Sequence, residues 1–209
     1  YVRWLSRHQL TEGQLDRLAQ EAAALAYQPI FSVITPVYNT DPQWLRACIE
    51  SVRRQVYPHW QLCLADDAST NKATWQVLRE YEADPRLRVT FLPSNRGISV
   101  ASNAAFAMAT GDFVVVLDHD DELPKDALAQ IATFLNQQPG ADLIYSDEDK
   151  LELDGTRCDP HFKPDWSPEH MLSCMYTCHL MAVRRALMEA VGGFREGFEG
   201  AQDYDLVLR

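Results

Sequence analysis

The sequence predicts an α/β fold: one mostly parallel sheet flanked by helices, with a helical arm at the N-terminus. Three observations carry this expectation. Short apolar runs such as "FSVIT" and "FVVVL" recur between longer stretches of helical periodicity, the strand–helix alternation of a sheet covered on both faces. These runs are continuous rather than alternating, as strands buried on both faces require. Finally, "FVVVLDHDDELP" (Phe113 to Pro124) passes at one step from hydrocarbon to Asp118, Asp120, Asp121 and Glu122. Unpaired carboxylates are too costly inside a core, so a strand must end there in a polar mouth.

The elements follow in order. Residues 1–28 form the arm: Leu10, Leu15, Leu18, Ala22 and Leu25 are spaced for one face, and "EAAALA" favours helix, so a helix is expected over 1–27. Residues 29–209 read as one domain. "IFSVIT" (30–35) is a strand, "QWLRACIESVRRQ" (43–55) a helix, and "WQLCLA" (60–65) a strand. A helix over 72–83 precedes strand "LRVTFL" (87–92), and a helix over 99–109 precedes strand "FVVVL" (113–117). Helix 125–138 and strand 142–145 complete the alternation, which is that of parallel strands joined by crossover helices. The pattern then loosens into a hairpin around Asp154-Gly155 and a Pro-marked loop, "CDPHFKPDWSPEH". A strand over 178–184, a short helix, a glycine-rich loop (192–200) and a final helix from Asp203 follow.

Composition narrows the function classes. The 209 residues carry a net charge of −11, with 30 acidic against 19 basic side chains. That balance argues against a nucleic-acid partner, which calls for a basic stripe, and suits a cation-dependent site. No apolar run approaches the roughly 20 residues of a membrane span, and no signal-peptide pattern opens the chain. The five cysteines are odd in number and lack zinc spacing, so free thiols in a reducing cytoplasm are expected. The chain opens at Tyr1 and stops at "DYDLVLR" within a helical pattern, which predicts a piece of a longer protein, truncated at its C-terminus.

In an open α/β sheet, ligands bind beyond the carboxyl ends of the strands. Those ends are "TPVYN" (35–39), "DDAST" (66–70), "PSNRG" (93–97) and "DHDDE" (118–122). Ser69, Thr70 and Ser99 read as turn formers and caps. In extended chain Asp118 and Asp120 point the same way, and two hard oxygen ligands at a strand mouth suit Mg²⁺ or Mn²⁺. There is no Gly-x-Gly-x-x-Gly or Walker pattern, so a metal-bridged diphosphate is the more economical reading. A nucleotidyltransferase would want a basic residue in a Gly-rich loop after the first strand, and "TPVYNTDPQW" has none.

Taken together, "FSVITPVYN", "LADDAST", "SNRGISVASNAAFAMATGDFVVVLDHDDELPKDAL", "GGFREGF" and "QDYDLVLR" resemble family 2 glycosyltransferases of the GT-A fold. "YSDEDK" and "FKPDWSPEH" resemble a bacterial subgroup that builds surface polysaccharides, including O-antigen, often as one module of a multidomain chain. The resemblance implies hexosyl or rhamnosyl transfer, with inversion, from a UDP- or dTDP-sugar to a hydroxyl of a glycan or lipid-linked glycan. The work would be cytoplasmic, at the inner face of the membrane. It implies that Pro36, Tyr38, Asp66, Asp67 and Asn95 border the nucleotide, with Asp67 accepting from the base N3–H. Asp118 and Asp120 would be the Asp-x-Asp pair on ribose and metal, Asp120 being the direct ligand, and His119 would point away. Asp203 takes the position of the general base, although Gln202 stands where the family usually has Glu. The other roles stay open. Asp121 reads as a cap for the next helix, Asp147 as a sugar contact or solvated strand end, His179 as sugar-facing or structural, and Trp166 as a stacking platform or loop filler. The alternative is a non-catalytic nucleotide-sugar or carbohydrate-binding module.

Overall fold

The computed structural model describes residues 1–209. The arm is two helices, α1 (Val2–His8) and α2 (Glu12–Ala23). The single helix expected over 1–27 is interrupted because Thr11 followed three residues later by Gln14 is a helix start; Gln14 Oε1 accepts from the Thr11 N–H at 2.8 Å. Leu15 and Ala22 of α2 are buried against the domain, and Lys125 pairs with Glu12.

β1 (Phe31–Val37) and β2 (Trp60–Asp66) are buried along their whole length. Between them α3 (Pro42–Arg53) starts on Asp41, whose carboxylate accepts from the Gln43 N–H, with Pro42 in the first turn. α4 (Lys72–Glu80) starts in the same way on Asn71. β3 (Leu87–Phe91), α5 (Ile98–Ala107), β4 (Phe113–Val116) and α6 (Ala127–Gln137) continue the alternation. After β5 (Leu143–Tyr145), the expected hairpin is β6 (Glu148–Leu151) paired with β7 (Arg157–His161). α7 (Pro168–Met171), β8 (Met181–Arg184), α8 (Arg185–Ala190) and α9 (Gln202–Val207) complete the chain.

The six-stranded sheet has the order β3-β2-β1-β4-β8-β5. β1 to β4 are mutually parallel, and β8 runs antiparallel between β4 and β5. Alternate side chains feed two layers. Phe31, Val33, Phe113 and Val115 pack with Leu45, Ile49, Leu128 and Leu135 of α3 and α6. Ile34, Val114 and Val116 pack on the other face with Ala105, Met188 and Leu206 of α5, α8 and α9. No helix is long and apolar enough to cross a membrane.

The start of β4 is fixed by a close backbone approach. The Gly111 N–H donates to Ser32 Oγ at 2.8 Å. A Cβ on Gly111 would lie 2.4 Å from the Ile30 carbonyl oxygen, which itself accepts from Asp112. Gly111→Ala is therefore expected to lower unfolding stability by about 1–3 kcal/mol, the cost of overpacking. Gly140, with nothing within 4 Å, is the control, and its alanine variant should leave the urea midpoint unmoved.

Candidate active site

Because β3, β2, β1 and β4 are parallel neighbours, their carboxyl ends lie in a row on one edge of the sheet. The first three mouths are tied together by backbone hydrogen bonds to side chains. At the end of β1, Asn39 takes a φ of +49°, and its N–H donates to Ser69 Oγ at 2.8 Å. Its Oδ1 accepts from the N–H groups of Thr70 and Asn71. Asp66 is fully buried and accepts from the Ser69 N–H and from Trp75 Nε1, so it shapes its own loop. Asp67 accepts from the Arg96 and Gly97 N–H groups, each at 2.8 Å, and so clamps the β2 mouth to the loop between β3 and α5. Pro36 is buried within β1, whereas Tyr38 and Asn95 are exposed at the rim.

The fourth mouth departs from the expected geometry. β4 ends at Val116 and the chain turns at Asp118, whose carbonyl accepts from the Asp121 N–H at 3.2 Å. A turn brings its first and fourth residues together, so the period-two argument for Asp118 and Asp120 does not apply. The side chains that converge are Asp118, Asp121 and His179, with one ligand atom of each within 4.8 Å of the others. His179 Nε2 lies 3.5 Å from Asp118 Oδ2 and 3.8 Å from Asp121 Oδ2. Asp120 stands outside this group, 59% exposed at the turn's tip, with His119 Nδ1 3.5 Å away. Asp121 caps no helix, since α6 starts later, on Asp126.

Burial pushes the carboxyl groups of both Asp118 and Asp121 above the usual carboxylate range, and His179 opposes the rise in each. The charges of Asp120 and Asp203 add to the rise at Asp118. Asp203 therefore lies within electrostatic reach of the group. It sits in the first turn of α9 and accepts from the adjacent Tyr204 N–H; the N-cap is Ala201. α9 is anchored by its neighbours: Asp205 pairs with Arg195 and Arg209, and Tyr204 Oη donates to the Met171 carbonyl. The glycine-rich loop before it is fastened to α5 by Asn103, whose amide both donates to and accepts from the Phe194 backbone.

The second acidic cluster divides three ways. Asp147 accepts from the Lys163 N–H, Glu148 pairs with the Lys163 ammonium, and Asp149 accepts from Tyr1 Oη and pairs with Arg157. Trp166 is 53% exposed beside the buried Tyr176 ring, with centroids 6.4 Å apart. Asp121 as a partner of Asp118, and the Glu148–Lys163 pair, were missed by sequence reasoning. A turn beginning at Asp118 was legible only in the acid run itself, and no local signal marks Lys163.

Two carboxylates and one imidazole on a strand mouth form a donor set that fits a divalent cation. The family described as Glycosyl transferase family 2 matches residues 32–191. The chain is 45% identical over 193 residues to the O-antigen biosynthesis protein RfbC of Myxococcus xanthus, covering 91% of this chain and 15% of that protein. It is 48% identical over 207 residues to the uncharacterized protein y4gI of Sinorhizobium fredii, covering 99% of this chain and 22% of that one. This chain thus spans less than a quarter of either relative. Among solved structures, S. aureus TarS 1-349 in complex with UDP-GlcNAc superposes with a TM-score of 0.70 at 25% identity, over 86% of this chain and 52% of that one.

Proposed function

Since the chain belongs to glycosyl transferase family 2, we propose that it transfers a sugar, with inversion, from a UDP- or dTDP-sugar to a hydroxyl of a growing surface glycan or lipid-linked glycan. The observation that carries this reading is the convergence of Asp118, Asp121 and His179 in the row of strand mouths that also holds the Asp67 loop, within the field of Asp203. The likeness to a protein named for O-antigen biosynthesis supports the glycan, and the TarS complex with UDP-GlcNAc supports the nucleotide.

In this reading Tyr38, Asp67 and Asn95 border the nucleotide, Pro36 and Asp66 support the mouth from within, and Asp67, with unused lone pairs on both oxygens, accepts from a pyrimidine N3–H. A divalent cation, when bound, would neutralise the diphosphate leaving group. Asp118, Asp121 and His179 would hold it. Asp203 takes the acceptor proton as the new bond forms on the opposite face of the sugar. His179 serves the cation, while Trp166 and Asp147 lie on the flank where an acceptor would approach.

Resemblance gives the direct ligand role to Asp120, and geometry gives it to Asp121. Mn²⁺ titrations of Asp120→Asn and Asp121→Asn, side by side, should show the larger loss of affinity at Asp121. For the reading as a whole, thermal melts with Mn²⁺ and each of UDP, dTDP and GDP are decisive. UDP or dTDP at 100 times its dissociation constant should add about 2.7 kcal/mol of stability. Tighter binding of GDP than of both would overturn the pyrimidine assignment. Binding without any donor hydrolysis or transfer would favour the non-catalytic module.

A further inference from the structure

The reaction uses neither Glu148 nor Lys163, yet both are spent on one residue of the cation group. The Lys163 side chain is 1% exposed, and its ammonium pairs with Glu148 Oε2 at 3.3 Å. It also donates to the carbonyls of Thr177, at 2.7 Å, and His179. All three ammonium protons are thereby taken. Glu148 Oε2 accepts in turn from the His179 N–H at 3.0 Å, while Oε1 faces His161 Nδ1 at 3.2 Å. The backbone of His179 is thus gripped at both ends, its N–H by the acid and its C=O by the base. One residue on, the Leu180 N–H donates to Ser146 Oγ, and its carbonyl accepts from the Ser146 N–H.

A buried lysine is an expensive way to hold a loop. Burial pulls its pKa down against the opposing pull of Glu148. Replacing a buried ion pair with apolar side chains is often neutral or stabilising, so stability alone does not account for this one. What the pair adds is direction. It ties the β6–β7 hairpin and the "FKPDW" loop to the residue that faces Asp118 and Asp121.

We propose that Glu148 and Lys163 are positioning residues that fix the His179 imidazole over the Asp118 and Asp121 carboxylates and thereby set the affinity of the site for a divalent cation. This rests on the reading of those three side chains as the cation group. Outer partners that hydrogen-bond the ring of a metal-binding histidine typically change metal affinity by roughly 10–100-fold, and partners that fix its backbone are expected to act over the same range.

The test is titration of the intact chain with Mn²⁺ alone, free ion being followed by its paramagnetic resonance signal. The variants are His179→Ala, Lys163→Met, Glu148→Gln and the double variant Lys163→Met/His179→Ala. Each single variant should weaken Mn²⁺ binding, Lys163→Met and Glu148→Gln by about 10–100-fold. The double variant should bind no more weakly than His179→Ala, because residues acting through one imidazole are not additive. A merely structural role would instead multiply the two losses and would overturn the proposal, as would wild-type affinity in both Lys163→Met and Glu148→Gln. Glu148→Gln keeps the shape of the side chain and decides the matter if Lys163→Met fails to fold. Wild-type affinity in His179→Ala would sink the cation group itself; a loss there with none at Lys163 and Glu148 would sink the positioning role only.

Discussion

Asp203→Asn is expected to lower sugar transfer by on the order of 10²–10⁴-fold, the usual worth of a general base, with Mn²⁺ and nucleotide affinity near wild type. Inverting transfer needs a hydroxyl on the face opposite the diphosphate, and a group to take its proton as the bond forms. Asp118 and Asp121 are committed to the leaving-group side. Asp203 is the acid on the next element that reaches them electrostatically, since its charge raises Asp118. Helix capping does not account for it, because the cap position belongs to Ala201. Nor is it tied up in an ion pair, a role that Asp205 fills with Arg195 and Arg209. Single-turnover transfer by the full-length protein to its own acceptor measures the effect. Transfer at the wild-type rate by the Asn variant would mean that another residue is the base.

Removing divalent cations is expected to weaken UDP binding by about a thousandfold. In the proposed reading Asp118, Asp120 and Asp121 stand at the mouth where the diphosphate would sit, and the charge of Asp203 reaches Asp118. Two like unit charges about 4 Å apart near a protein surface repel by roughly 4 kcal/mol at an effective dielectric constant of about 20. That is about three decades in affinity. Two imidazoles, His179 and His119, stand beside these acids, too few to offset four carboxylates and a diphosphate. Calorimetric titration with UDP, once with Mn²⁺ and once with EDTA, gives the answer directly. Equal affinities would remove the cation from the proposal.

Strands β1, β2 and β4 were legible because a strand buried on both faces must be a continuous apolar run, and each run stops at polar residues that need partners, as buried Asp66 finds in the Ser69 N–H and Trp75. The row of mouths followed from that and from the order of elements. The arm read as one helix because periodicity alone does not see the Thr11–Gln14 start inside it. The cation group was half legible. Asp118 follows from strand termination, but its partner depends on whether the chain stays extended or turns, and the five consecutive polar residues 118–122 allow either. His179 lies some sixty residues away and reaches the site only because β8 is inserted beside β4. Glu148 and Lys163 were invisible for the same reason, since their partners are backbone groups brought close by tertiary structure.

The placement of β8 has a consequence for the order of assembly. Val114 on β4 pairs with Val183 on β8, and β5 pairs only with β8, so β5 has no neighbour in the sheet until the later strand arrives. During synthesis β1, β2 and β3 pair with neighbours in sequence, whereas β4 must find β1 (Phe113 with Phe31) and then β8 (Val114 with Val183) across long stretches of chain, the slow kind of event. A single residue, Leu180, separates His179 from β8. The residue that completes the triad is therefore delivered by the step that closes the sheet. If the three side chains hold the ion as proposed, a nascent or partly unfolded chain would be blind to it, and metal capture would report that the central sheet has been completed.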